Sequence, residues 1–192
     1  MINAEKLTFG FQSTYLFQNI SFTLEENCHC ALIGSNGTGK TTLTNLIREP
    51  DSYVFDGKLN LDDAGRIGYV SQFAIREGDQ SVTVYDYLCQ DFLALEQAIS
   101  DVCLQMESAD DMDALMERYQ ELLDESDAVD ADNYEGNIRK QLKLAELEDK
   151  ASLELEKLSG GELKLVQIIR QMLRRPGLLI MDEPMFSWIL KT

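Results

Sequence analysis

The chain is poor in basic residues, and that shortage narrows the reading. Lys and Arg number 17 against 34 Asp and Glu, for a net charge of −17 at pH 7. Such a balance argues against non-specific binding to DNA or RNA phosphates. No apolar run approaches the length of a membrane span, so no transmembrane segment of its own is expected. The opening Met1-Ile2-Asn3-Ala4-Glu5-Lys6 does not read as a secretion signal, and a cytoplasmic location is the expectation. Cysteine is limited to Cys28, Cys30, Cys89 and Cys103. Cys28-His29-Cys30 invites a metal reading, but on a strand the two thiols face one way and the imidazole the other. With no second ligand pair in sequence, these read as buried or half-buried strand cysteines in a reducing compartment. No internal repeat, low-complexity tract or flexible linker interrupts the 192 residues. At 44% hydrophobic and 27% charged, they suffice for one domain with a real core.

What is plentiful is acid, and it crowds the middle. Between Glu107 and Glu135 the acids include Asp110, Asp111, Asp113, Glu117, Glu121, Asp124, Glu125, Asp127, Asp130 and Asp132, with Arg118 the one base among them. This reads as a solvated helix face and an acidic connection from Asp124 to Gly136, rather than a surface selecting basic partners.

The chemistry lies elsewhere. Gly34-Ser35-Asn36-Gly37-Thr38-Gly39-Lys40-Thr41 follows the apolar run Ala31-Leu32-Ile33 and opens the helical pattern Thr42-Leu43-Leu46-Ile47. That is a G-x-x-x-x-G-K-[ST] phosphate loop, with a strand expected before it and a helix after. Its backbone N–H groups and the helix N-terminus suit the β- and γ-phosphates of a nucleotide. Lys40 adds a point charge, and Thr41 a hydroxyl where Mg²⁺ would sit.

Other elements follow from periodicity. Leu7 to Phe11 and Ile20 to Leu24 alternate as half-buried strands, with a turn at Glu25-Glu26-Asn27. The helix after Lys40 should stop near Glu49, ahead of Pro50. Asp56-Gly57 reads as a turn between Tyr53-Val54-Phe55 and Lys58-Leu59-Asn60. Arg66 to Gln72 reads as a strand. Thr83 to Asp86 resembles a capping box, opening a helix with Leu88, Phe92, Leu95, Ile99 and Val102 on one face. A second helix carries Met112, Leu115, Met116, Tyr119 and Leu122, and a third, from about Tyr134, carries Ile138 and Leu142. Ser159-Gly160-Gly161-Glu162 is a capping box before the stripe Leu163, Val166, Ile169 and Leu173, ended by Pro176-Gly177. Leu178-Leu179-Ile180-Met181 suits a buried strand, with Asp182-Glu183-Pro184 after it.

Four elements thus stand in order: the phosphate loop, Gln72 at a strand end, the capped Ser159-Gly160-Gly161, and Asp182-Glu183. An acid at a strand end beside a phosphate loop is placed to hold Mg²⁺, which assigns Asp182. Glu183 is placed to orient and deprotonate a water. The glycine-rich helix start is a second anion site. Gln72 is within the pattern to reach the metal or the water.

Together these resemble the nucleotide-binding domain of the ATP-binding cassette (ABC) superfamily, over nearly the whole chain. Gly34–Thr41 matches its Walker A motif, Gln72 its Q-loop, Leu158–Glu162 its LSGGE signature, and Leu178–Pro184 its Walker B with catalytic glutamate. The resemblance implies an α/β fold of the P-loop nucleoside triphosphatase kind, with a parallel-sheet core, an N-terminal antiparallel part and a helical subdomain. Residues 1–81 and 158–192 would form the core and 82–157 the helical subdomain of a single cassette. ATP and Mg²⁺ would be its cofactors. Gly34, Ser35, Asn36, Gly37, Thr38, Gly39, Lys40, Thr41 and Thr42 would contact nucleotide, and Phe11 would stack on adenine. Thr41, Gln72 and Asp182 would hold the metal, Glu183 would be the base and Gln72 the sensor. Ser159, Gly160, Gly161 and Glu162 would act on the nucleotide of a second, partner cassette.

Gln72 and Leu158 stand 86 positions apart, long for the helical subdomain of a transporter subunit. With the runs at Leu115–Leu122, Asn133–Gly136 and Leu158–Lys164, this resembles the first cassette of F-type (ABC-F) members. That resemblance implies a ribosome partner and a part in translation or antibiotic resistance. The alternatives are the ATP-binding subunit of a membrane transporter, or a nucleotide-binding fragment without turnover. After Pro184 the sequence departs from the family: Met185 to Thr192 replaces the D-loop region, the switch histidine is absent, and His29 cannot serve as one. A C-terminally truncated cassette is therefore the expectation, with nucleotide binding surviving better than turnover.

Overall fold

The computed structural model describes residues 1–11, 14–61, 66–71, 81–107 and 112–182. They divide into two compact units, one of residues 1–69 and 176–182, the other formed from residues 70–175.

The first unit is built on two long alternating segments. β1 (Ile2–Phe11) pairs antiparallel with β2 (Thr14–Leu24) and, on its other edge, with β3 (Asp56–Asn60). Ile2 and, past the register shift between Ala4 and Leu7, Leu7 and Phe9 lie on the inner face, where they meet Leu43, Leu46 and Ile47 of helix α1 (Lys40–Arg48). Phe9 anchors the packing, edge-on to Tyr53 at 5.6 Å and tilted against Phe17 at 5.9 Å. Asn27 is left-handed at φ 57°, as its turn requires. α1 ends at Arg48, with Glu49 as its C-cap and Pro50 beginning a 3-10 turn. A second sheet pairs β4 (Ile67–Val70) with β5 (Leu178–Met181), and the Gly177 N–H donates to the Arg66 carbonyl at 2.9 Å.

Two sequence expectations need correction here. Asp56-Gly57 is no hairpin turn: both residues lie inside β3, opposite the irregular Glu5/Thr8 stretch of β1. Gly57 is required because a Cβ would meet the Lys6 carbonyl at 2.5 Å, a close approach of two backbones that reads in sequence like a turn signal. Ala31-Leu32-Ile33, the apolar run before the phosphate loop, joins no strand among the described residues. Leu32 is 50% exposed and Ile33 90% exposed. Local pattern supplies a strand's side chains, but the ladder must come from a neighbour, and neither described sheet extends to this segment. Cys28 and Cys30, expected to be strand cysteines, are exposed for the same reason.

The second unit is helical. α2 (Val84–Met106) starts at Thr83, whose hydroxyl accepts from the Asp86 N–H at 3.1 Å and donates to the Asp86 carboxylate at 2.7 Å. α3 (Met112–Val129), α4 (Tyr134–Leu144) and α5 (Gly160–Leu173) follow. Leu88, Phe92, Ile138, Leu142, Val166, Ile169 and Leu173 interlock in one core, with Phe92 stacked on Tyr134 at 4.9 Å. Arg170 ties α5 to α2: it forks onto Asp91 at 2.7 and 3.1 Å while its guanidinium lies 4.3 Å over the Tyr87 ring. Burial works to raise the Asp91 carboxyl, but the hydrogen bonds and charge of Arg170 outweigh it and hold that carboxyl below its ordinary value. α3 runs on through Asp124 to Val129, so much of the expected acidic connection is helix. Its stripe is only partly internal, for Leu122 is buried while Met112 and Met116 are exposed. Within the described residues no helix is long and apolar enough to cross a membrane.

Candidate functional site

The phosphate loop takes its shape from two glycines. Gly37 has φ 82° and Gly39 φ 93°, in the left-handed region that disfavours side chains. Gly39 is the N-cap of α1, and its carbonyl already accepts the first helical bond from Leu43 at 2.8 Å. Gly39 has no side chain with which to cap that end, where the early N–H groups of α1 form the positive pole of the helix. Inside the loop, Thr38 donates its hydroxyl to the Ser35 carbonyl at 2.9 Å. Lys40 folds over it, donating to the carbonyls of Gly34 and Ser35 at 2.9 Å each. The ammonium thereby spans the loop mouth as a fixed positive charge. Residues 34–38 are exposed, as a ligand-accepting loop must be.

In the first turn of α1, Thr41 meets the end of β5. Its hydroxyl donates to Asp182 Oδ2 at 3.2 Å, joining residues 141 positions apart. A hydroxyl and a carboxylate oxygen side by side, next to a phosphate loop, form a hard-oxygen set that suits Mg²⁺. Of the residues singled out from sequence, the structure brings together Gly34 to Thr42 and Asp182. Gln72 and Glu183 lie outside the described residues, as does Met185 to Thr192.

Two partners of Asp182 and its surroundings escaped the sequence reading. Tyr69, on β4, donates its hydroxyl to the same Asp182 Oδ2 at 3.3 Å. Burial, then the charge and hydrogen bond of Asp182, push the Tyr69 phenol above its ordinary value, so it stays a neutral donor. Arg48, the last residue of α1, places its guanidinium 4.4 Å over the Tyr69 ring and pairs with Glu49 at 2.6 Å. Alternation alone marks Tyr69 only as a strand residue. The one available signal is that Arg48 stands seven residues after Thr41, on the same face of α1.

Phe11 ends β1 with its ring 61% exposed, edge-on to Phe9 at 5.1 Å. It is a free aromatic face rather than a core residue. An open cleft of about 230 Å³ elsewhere in this unit is lined by Thr8, Gly10, Tyr15, Val54 and Asp56 among others, and no phosphate-loop residue borders it.

The capped start of α5 belongs to the second unit. Ser159 accepts from the Glu162 N–H, and the Glu162 carboxylate accepts from the Ser159 N–H and hydroxyl at 2.8 Å each. Lys150 pairs with the other Glu162 oxygen. That bond first, then the two from Ser159, hold the Glu162 carboxyl down at about 2. Its charge is therefore turned back onto the cap and neutralised, while Ser159 and Gly160 remain exposed. One turn later Lys164 donates to the Ser71 carbonyl, fixing α5 to the residue just before Gln72.

Comparison with known proteins gives a consistent result. The family described as ABC transporter matches residues 17–186. The chain is 30% identical over 96% of its length to an uncharacterized ABC transporter ATP-binding protein, YfmM, of Bacillus subtilis, of which it spans 36%. It is 30% identical over 88% of its length to the zinc import ATP-binding protein ZnuC of Rickettsia conorii, spanning 56% of that protein. Among solved structures, an inward-facing putative metal-chelate type ABC transporter matches 97% of this chain and 61% of its own, with a TM-score of 0.65 at 23% identity.

Proposed function

This chain belongs to the ABC transporter family, with the α/β fold of its ATP-binding cassettes, and on that premise we propose that it binds Mg²⁺-ATP and, with a partner cassette, hydrolyses it as the ATP-binding part of a membrane transporter. The observation that carries the reading is the convergence of Lys40, Thr41 and Asp182 at the N-terminus of α1, from segments 141 residues apart.

The residues divide the work by chemistry. The loop amides and the α1 N-terminus bind the phosphates, and Gly37 and Gly39 let the backbone present them. Lys40, held at the mouth, meets the outer phosphates as a point charge. Thr41 and Asp182 supply oxygens for the metal. Magnesium, when bound there, supplies charge neutralisation on the phosphate oxygens. Phe11 offers its exposed ring to the adenine. Glu183 orients and deprotonates the attacking water, and Gln72 senses the site; both roles come from sequence. Ser159, Gly160 and Gly161 present a capped helix N-terminus to the nucleotide of the partner cassette. Glu162 serves that role by spending its charge on Lys150 and Ser159, so that it does not repel phosphate.

The relatives named for transport, one of them for zinc import, favour the transporter function. The ribosome-associated F-type reading from sequence loses its lead for that reason, and nothing in those names supports antibiotic resistance. One observation keeps it as a second reading: the chain spans only 36% of YfmM, so that relative is long enough for two cassettes of this size. Fractionation of the cells that make the protein separates the two. Co-purification of the tagged chain with a polytopic membrane protein supports the transporter reading. Pelleting with ribosomes through a sucrose cushion, with no membrane partner, overturns it in favour of the second.

A further inference from the structure

Asp182 Oδ2 is held from two sides. Thr41 reaches it from the first turn of α1, and Tyr69 from β4. The Tyr69 ring in turn lies against the Arg48 guanidinium at the far end of α1, and Arg48 is braced by Glu49 through Nε at 2.8 Å and Nη2 at 2.6 Å. Thr41 and Arg48 are seven residues apart, so they share one face of the helix about 10 Å apart along its axis. Tyr69 and Asp182 span that distance. The four residues form a closed circuit: both ends of α1, the β4 strand, and the carboxylate at the end of β5.

We propose that Tyr69 is a positioning residue that sets the orientation of the Asp182 carboxylate toward the metal, and that Arg48 acts through it by fixing the ring. This rests on the Mg²⁺-ATP reading above. A carboxylate at a strand end rotates about its last torsion unless something fixes it. With Thr41 and Tyr69 both donating to Oδ2, Oδ1 is the oxygen left to face the ligand. Hydrogen bonds of this kind, one shell out, orient metal-binding groups and tune affinity. The guanidinium on the ring face restrains the phenol in turn. Phenylalanine at position 69 would fill the same space and keep the contact with Arg48, but it has no hydroxyl.

The test compares the full chain with its Tyr69→Phe variant, using a fluorescent ATP analogue, first in chelator and then over a Mg²⁺ titration. The expected result is unchanged binding in chelator, unchanged thermal unfolding, and a rise of about tenfold in the Mg²⁺ concentration giving half-maximal enhancement. Arg48→Gln should shift that midpoint several-fold alone and not at all on top of Tyr69→Phe. An unchanged midpoint in Tyr69→Phe overturns the assignment of Tyr69, and additive shifts overturn the role of Arg48. Should Tyr69→Phe fail to fold, Arg48→Gln decides alone, and an unshifted midpoint there sinks the circuit. Failure of the unaltered chain to bind the analogue at any Mg²⁺ concentration overturns the nucleotide reading itself, and the inference with it.

Discussion

Replacing Gly39 with alanine should weaken ATP binding about 30- to 100-fold, and replacing Gly37 should weaken it less, about tenfold. The difference comes from surroundings. Both residues sit at positive φ, 93° and 82°, where an L side chain costs about 1–2 kcal/mol. Around Gly37 an added Cβ meets nothing within 4 Å, so backbone strain is the whole effect. At Gly39 the same Cβ would come within 2.7 Å of Leu16 Cγ and 2.8 Å of Cδ2. Leu16 must leave its rotamer, which adds about 0.5–1.5 kcal/mol. The total, about 1.5–3.5 kcal/mol with a midpoint near 2.5, must be met whenever the loop adopts its binding shape, and tenfold in affinity corresponds to about 1.4 kcal/mol. Leu16→Ala in the Gly39→Ala background should restore several-fold of the loss, since it removes the collision and leaves the strain. Calorimetric titration with Mg²⁺-ATP reads the affinities, with circular dichroism as the check on folding. Equal losses at the two glycines, or no recovery with Leu16→Ala, would refute the reasoning.

Three further outcomes follow from other parts of the molecule. Glu162 has a carboxyl held at about 2, below its ordinary 4.5, so its stabilisation is complete above about pH 4.5 and disappears as pH falls toward 2. Glu162→Gln should therefore melt below the unaltered chain at neutral pH, with the gap closing between those two pH values; a gap independent of pH would count against the Lys150–Glu162–Ser159 cap. Cys28, Cys30 and Cys103 should react with a thiol reagent in the folded protein, whereas the buried Cys89 should react only on unfolding. Protection of Cys28 and Cys30 would show that residues 28–34 are covered. Asp91→Ala removes a two-pronged, half-buried ion pair between α2 and α5 and should cost about 1.5–3 kcal/mol in denaturant unfolding; a loss under 0.5 kcal/mol would make the pair a surface contact.

The parts of this molecule legible in sequence are those whose physics is local. The phosphate loop is read correctly because two glycines, a lysine and a threonine at fixed spacing define it without reference to the rest of the chain. The cap at Ser159 and Glu162 is legible for the same reason, and so is the end of α1 before Pro50. The stripe Leu88, Phe92 and Val102 is legible because helical periodicity records which face is buried. What escaped depends on distant neighbours. Gly57 marks the backbone of β1 passing close by, which looks in sequence like a turn. Ala31-Leu32-Ile33 has the composition of a strand, but pairing depends on another segment. Met112 and Met116 keep the helical period but stand exposed. At the site, the Tyr69–Asp182 contact joins residues 113 positions apart, and no spacing rule announces it. Lys150, paired with Glu162, is missed because an isolated lysine carries no signal.

The proposed function requires the loop of residues 34–42 to be a triphosphate site, and one measurement reaches that directly. Isothermal titration of the full chain and of Lys40→Ala with Mg²⁺-ATP should show saturable binding in the first and none measurable in the second. Equal affinity in the two proteins, or no heat of binding from the folded unaltered chain at millimolar ATP, would contradict it.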